Sequence, residues 1–223
     1  MKDESESDSP AAAREAMVRK TIIRRGITNP DLLAALRRVP RHEMVPAAQR
    51  AYAYEDCPLP IGFDQTISQP YIVASMTELA GVHAGSRVLE LGTGSGYQAA
   101  ILAALGCEVE TFEIIEPLAA EAERALKRLG YGDRVRVHHG DGYHGLPARA
   151  PFDAVIATAA PEFIPEPLVE QLAMGGRLVI PVGRVIQDLI VVEKTEAGRI
   201  VKSAYAVRFV PMTGAALRQQ AKN

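Results

Sequence analysis

At 223 residues the chain is long enough for one well-buried domain with a terminal extension, or at most a domain and a half. Its 48% hydrophobic and 23% charged residues are those of an ordinary soluble globular protein, and no apolar run reaches membrane-spanning length. A net charge of -2 lacks the basic excess of a dedicated nucleic-acid binder, so the clusters Arg24/Arg25 and Arg37/Arg38/Arg41 read as solvated helix faces.

The opening MKDESESDSP is acidic and polar, unlike a signal peptide, and residues 1–10 are expected to form a disordered tail. From Ala11 to about Arg25, Met17, Val18, Ile22 and Ile23 recur near helical spacing, and Gly26 supplies a stop. A second helix starts at Asn29 as cap, with Pro30 in the first position and Asp31 facing the positive end of the dipole; Pro40 ends it. Residues 41–69, punctuated by Pro46, Pro58 and Pro60, read as an irregular connection long enough to suggest function. PYIVASMTELAG then forms a helix with Ser68 near its start and Gly81 at its end. Cys57 and Cys107 stand apart with no metal or redox spacing, which predicts reduced thiols and a cytoplasmic location.

From Arg87 onward strands and helices alternate: RVLELG, EVETFE, RVRVHHG, FDAVIAT and RLVIPVG, with YQAAILAALG and PLAAEAERALKRLG among the helices between them. Such alternation means parallel pairing, right-handed crossovers and an α/β, Rossmann-like doubly wound sheet. Two extended runs about Gly198 predict an antiparallel C-terminal hairpin, whose strand order periodicity does not fix. The expected organisation is one domain: an N-terminal helical and loop segment (11–82) forming part of the substrate site, a cofactor-binding core (83–215) and a short tail (216–223).

In a doubly wound sheet the ligand sits at the carboxyl ends of the strands, where strand order reverses. Gly92, Gly94 and Gly96 occupy that place after the first strand of the core. A dinucleotide fingerprint counted from Gly92 would need a glycine where Tyr97 stands. Glu90 adds a carboxylate two residues before the turn, unfavourable for a pyrophosphate but favourable for the ammonium and sulfonium of S-adenosylmethionine. Glu113 ends the second strand, where it can accept both ribose hydroxyls, and Asp141 ends the third, where it can accept from an adenine amino group beside the slender Gly142. Each acid could instead be a helix cap or a solvated loop residue; three at successive strand ends favour the cofactor. Adjacent His138 and His139 point to opposite sheet faces and make a poor metal pair, His144 is a loop residue near the pocket, and no metal is expected.

PLPIGFDQTISQP, ELGTGSGYQAA, GDGYHGLPARAPFDAVIATAAP, GGRLVIPVG and RFVPM, in this order between about residues 15 and 215, resemble the protein-L-isoaspartate O-methyltransferase family. That resemblance implies methyl transfer from S-adenosylmethionine to the free α-carboxylate of L-isoaspartyl residues in damaged peptides and proteins, followed by succinimide formation. It places the functional serine on Ser68, with Gln65, Thr66 and Ile67 in the loop over cofactor and substrate. Glu90, Gly92, Thr93, Gly94, Gly96, Glu113, Asp141 and Gly142 fall on cofactor-binding positions, and Thr213 matches a position that reaches the site in some members. Val73 stands where some animal members carry a histidine. The implied partners are isoaspartyl peptides and proteins, with neither nucleic acid nor membrane, and the chain is expected to act as a monomer. Three other readings remain at this point: methylation of an unmodified aspartate in a dedicated peptide, a metal-dependent small-molecule O-methyltransferase, and a non-catalytic cofactor binder. Without the resemblance, Ser68 reads equally well as a cap of the following helix.

Overall fold

The computed structural model describes residues 9–220, so the expected acidic tail lies outside the described residues except for its last two positions. There the chain is already ordered: the Ser9 hydroxyl accepts from the Ala12 amide (3.1 Å) and caps α1 (Pro10–Met17). The helical path runs on through a π turn over 18–22 and a 3-10 turn over 23–25, and stops at Gly26, whose φ of 96° is the left-handed conformation glycine tolerates. Asn29 caps α2 (Pro30–Arg38) by accepting from the Asp31 and Leu32 amides, as its sequence predicts.

The connection after α2 holds more structure than its prolines suggest. Two 3-10 turns (41–44 and 47–52) lead into a small antiparallel hairpin, β1 (Leu59–Gly62) and β2 (Gln65–Ile67). Its tip is Phe63-Asp64, with φ of 54° and 56°. Tight hairpins of this kind normally carry Asn-Gly or a similar pair, so the sequence held no hairpin signal. α3 (Pro70–Ala80) follows.

Seven strands then build the main sheet: β3 (Arg87–Leu91), β4 (Glu108–Glu113), β5 (Val135–His139), β6 (Phe152–Ala157), β7 (Leu172–Val182), β8 (Gln187–Thr195) and β9 (Gly198–Val207). Their spatial order is β5-β4-β3-β6-β7-β8-β9. The first five are parallel, and β8 and β9 join antiparallel, so the C-terminal hairpin has β9 at the sheet edge. Strand order reverses between β3 and β6, which opens a crevice at their carboxyl ends. α4 (Tyr97–Ala104), α5 (Glu116–Arg128), α6 (Glu166–Glu170) and α7 (Ala215–Gln220) complete the fold, α7 occupying the start of the segment expected to be a tail.

Period-two alternation divides the core. Val88 packs with α1 to α4 on one face, while Leu89 and Leu91 pack with Phe152, Leu168 and Met212 on the other. Glu90 shares its face with Val88, which aims a carboxylate into a buried layer. α5 lays Leu118, Ala119, Ala122, Ala125 and Leu126 against the sheet at helical spacing. Among the described residues no helix is long and apolar enough to cross a membrane, and Cys57 and Cys107 are free thiols.

The arginine clusters are corrected in one place. Arg37 pairs with Glu15 (2.7 Å) and Arg25 with Asp56 (2.8 Å), as surface cations do. Arg41 is fully buried, because Pro40 ends α2 and the chain turns inward before it. Its Nε donates to the Ala53 carbonyl (2.7 Å) and its guanidinium lies 4.8 Å from the Tyr97 ring centroid. Burial pushes its pKa down to about 10, so it remains a cation at neutral pH.

Candidate active site

Three connected spaces meet at the carboxyl ends of β3, β4 and β6. The first, of about 200 Å³, is bounded by Glu113, Ile114, Asp141, Gly142, Met212 and Thr213, with Gln65 and Thr66 from the hairpin above. The second is a small inner cavity containing Glu90, Gly92, Thr93 and Gly94 from the strand turn, Ile67 and Ser68 from the hairpin side, and Val73 and Gln98 from the helices. The third, about 710 Å³, is a groove running along Ser68, Gln69, Ile72 and the chain from Tyr205 to Pro211. Thr66 and Thr158 border all three, and Ser68 borders the inner cavity and the groove.

Glu90 is the electrostatic anomaly of the site. It is completely buried, and among the described residues neither carboxylate oxygen has a hydrogen-bond partner at good geometry. The neighbouring Thr111 hydroxyl, 2.7 Å from the Thr93 hydroxyl, favours the charged form but is outweighed by burial. Burial drives the pKa of Glu90 up to about 8, and the nearby Glu113 adds to the rise. Such a group needs a cationic partner with N–H donors, because an unpaired buried charge is expensive.

Glu113 and Asp141 have first duties to the protein itself. Glu113 accepts from the Gly94 amide (2.8 Å) and the Ile115 amide (3.0 Å), which ties the glycine turn to the end of β4. Asp141 accepts from the Tyr143 amide (3.0 Å), capping a short 3-10 turn, and from the Ala215 amide (2.7 Å) at the start of α7. The capping reading of Asp141 therefore holds alongside its place on the cavity wall. Carboxylate oxygens accept more than one bond, so both acids keep capacity for a ligand.

The glycines also answer to the protein. A Cβ on Gly142 would lie 2.8 Å from the Phe112 Cβ, so its slenderness serves packing beneath the cavity more than room for a ring. Gly96 borders none of the three spaces: it precedes α4 with a φ of 83° and faces Leu126 and Met44, while its neighbour Ser95 reaches the inner cavity. Ser68 does not cap α3; the cap position is Gln69, with no side-chain bond to the helix start. Its hydroxyl makes no hydrogen bond to the described residues and stands where cavity and groove join.

The arrangement is matched in known proteins. A family model described as protein-L-isoaspartate (D-aspartate) O-methyltransferase fits residues 12–217. The chain belongs to this family. A Synechococcus protein-L-isoaspartate O-methyltransferase is 52% identical over 214 residues, covering 92% of this chain and 87% of that one. A solved structure of a protein-L-isoaspartate O-methyltransferase superposes with a TM-score of 0.86 at 28% identity, covering 94% of this chain and 69% of that one. A Plasmodium falciparum structure described as a β-aspartate methyltransferase of this family, in complex with S-adenosyl-L-homocysteine, superposes with a TM-score of 0.78 at 26% identity, over 90% and 98% of the two chains.

The methyltransferase family frame makes sense of Thr158, which reasoning from strand ends missed. It lies in the TAAP motif, and its hydroxyl is within reach of the Leu91 carbonyl (3.1 Å) and the Gly92 carbonyl (2.7 Å), bracing the glycine turn from β6. Tyr97 and Gln98 were likewise missed, because helix starts carry no strand-end signature, while Val210, Pro211 and Met212, quoted above only within a family motif, border the first space beside Thr213. Among the described residues no group of three or more His, Cys, Asp or Glu side chains is placed to hold a metal ion. His138 is occupied otherwise, stacked on Phe112 with its Nε2 2.6 Å from Glu110.

Proposed function

We propose that this methyltransferase acts on the free α-carboxylate of L-isoaspartyl residues, with its cofactor across the first two spaces and the damaged peptide in the groove. The observation that carries the reading is the buried, partnerless carboxylate of Glu90 sharing one cavity with the unengaged hydroxyl of Ser68. When bound, S-adenosylmethionine would supply a sulfonium-activated methyl group for an acceptor carboxylate oxygen, with S-adenosylhomocysteine as leaving group and a methyl ester as product. The chain's own residues bind, orient and exclude water. Glu90 pairs with the cofactor's positive charge, Glu113 offers its remaining lone pairs to the ribose, and Asp141 and Thr213 border the adenine side. Gln65, Thr66 and Ile67 cover the junction, while Gly92, Thr93 and Gly94 let the backbone come close.

The acceptor is already ionised at neutral pH, so no general base is required and orientation dominates. Ser68 donates its hydroxyl proton to the acceptor carboxylate and aims one oxygen at the methyl. Hydroxyl donors suit this task better than a lysine or arginine, which would pair with the carboxylate and dull it. The resulting ester is attacked by the neighbouring backbone nitrogen far more readily than a carboxylate is, and the succinimide that forms opens in part to normal aspartate. We read the chain as a single functional unit, with 11–82 contributing the acceptor side and 83–215 the cofactor side, acting as a cytoplasmic monomer. The free thiols of Cys57 and Cys107 support the location.

Methyl-labelled cofactor with two peptides that differ only in an L-aspartyl or L-isoaspartyl linkage tests the reading. Base-labile label is expected on the isoaspartyl peptide alone; equal labelling, or none with cofactor bound, would overturn it. Within this reading, Ser68→Ala should lower kcat/KM by about five- to 150-fold, the worth of one orienting hydrogen bond of about 1–3 kcal/mol. Unchanged kinetics would remove Ser68 from the mechanism.

A further inference from the structure

The groove differs from the two inner spaces in charge. Among the described residues two cations border it, Arg25 and Arg208, and no aspartate or glutamate does. Neither arginine reaches the two inner spaces, where the acids gather. Positive charge therefore stands where the flanks of a bound peptide would run, away from the reacting oxygen.

The two arginines differ in their commitments. Arg25 is held: its guanidinium lies 3.3 Å from the Tyr71 ring centroid and its Nη1 is 2.8 Å from Asp56 Oδ2. Asp56 is fixed in turn by accepting from the Tyr71 amide (3.0 Å), so most of the charge of Arg25 is compensated locally. Arg208 is exposed, follows directly on the edge strand β9, and meets no carboxylate at ion-pair distance among the described residues. The backbone beside it is firm, because the Gln187 amide brackets Phe209, accepting from its N–H (2.6 Å) and donating to its carbonyl (3.1 Å).

We propose that Arg208 makes the enzyme prefer isoaspartyl sites flanked by acidic residues, using an uncompensated cation on the groove wall to select among damaged peptides. The proposal rests on the groove being the acceptor's place. A glutamate in the flank gains an exposed ion pair, and a lysine in the same position meets a like charge. Each effect is modest alone, but the two oppose, and the difference between the peptides reaches about three- to tenfold in affinity. Salt weakens it, because the pair is solvent-exposed.

The test uses fluorescent L-isoaspartyl peptides that carry Glu, Gln or Lys at one position, placed on either side of the isoaspartyl residue. Binding is read by anisotropy with S-adenosylhomocysteine present, and methyl transfer is read in parallel. The expected order of affinity is Glu, Gln, Lys on at least one flank, with the spread shrinking in 0.5 M KCl at about the sub-nanometre screening length of that salt. Arg208→Gln should collapse the spread. Equal affinities for the three peptides on both flanks, or a spread that survives Arg208→Gln, would overturn the proposal. The two layers separate cleanly: charge-blind binding with normal transfer removes the selection by Arg208 alone, whereas charge-ordered binding without transfer removes the isoaspartyl carboxylate as the acceptor and leaves the cationic groove standing.

Discussion

Exchanging Glu90 for glutamine is expected to weaken S-adenosylmethionine binding by about 2–4 kcal/mol, a loss of about thirty- to a thousandfold in affinity. Among the described residues no cation pairs with its carboxylate, and the amide that replaces it keeps the shape without the charge. A pH dependence accompanies the affinity. In the folded, cofactor-free chain burial holds the pKa near 8, against 4.5 for the ordinary carboxyl. Between those values the folded chain binds one more proton than the unfolded one, so the stability of the cofactor-free protein falls as pH rises through that window and levels off above it. Pairing with a cation requires the ionised form, and cofactor binding below about pH 8 must expel the proton. Affinity should therefore rise with pH from 6 to 8, by up to about tenfold per unit. Calorimetry in two buffers of different ionisation heat reads both the affinity and the released proton. A flat profile in the wild-type chain would contradict the assignment, and Glu90→Gln should flatten it.

Gly92→Ala should be the second severe change. Gly92 holds a φ of 91°, and a Cβ there would sit 2.4 Å from the Thr158 hydroxyl. That hydroxyl is not free to swing aside without cost, because it is the group bracing the Leu91 and Gly92 carbonyls. Left-handed strain together with the disturbed hydrogen bonds sums to about 2–5 kcal/mol, borne by the turn and by every cofactor contact it makes. Thermal unfolding with and without S-adenosylhomocysteine separates the parts: the variant should melt earlier and lose most of the stabilisation the ligand gives. A variant that melts and binds like the wild type would show that the turn relaxes freely.

The sheet was legible because burial on two faces leaves a simple record, apolar strands alternating with helices whose caps, such as Asn29, follow local chemistry. Glu90 was legible for a related reason: an acid among Val88, Leu89 and Leu91 breaks the apolar strand and asks for a cause. The hairpin over 59–67 was hidden because Phe63-Asp64 adopts a turn those residues rarely take, held by its surroundings and not by its own preference. Arg41 was misread because three arginines spaced near a helix end look alike in sequence, and only the inward turn after Pro40 separates it from the others. Local capping by Glu113 and Asp141 was open to the sequence, but their ties to the Gly94 and Ala215 amides were not, because those partners come from other parts of the chain. Thr158 was missed because a brace is defined by what lies across from it.

The groove proposed for the acceptor joins residue 25 and the 58–72 region to Thr158 and residues 205–211, so most of its walls come from opposite ends of the described chain. Contacts of such long sequence separation carry the largest loop-closure cost and gain nothing until the sheet between them exists. The cofactor turn, by contrast, is closed largely by neighbouring elements, β3, β4 and α4. On the proposed reading, recognition of the acceptor depends on the completed topology of the whole domain, and a partly folded copy of this enzyme lacks the surface that would hold a damaged peptide.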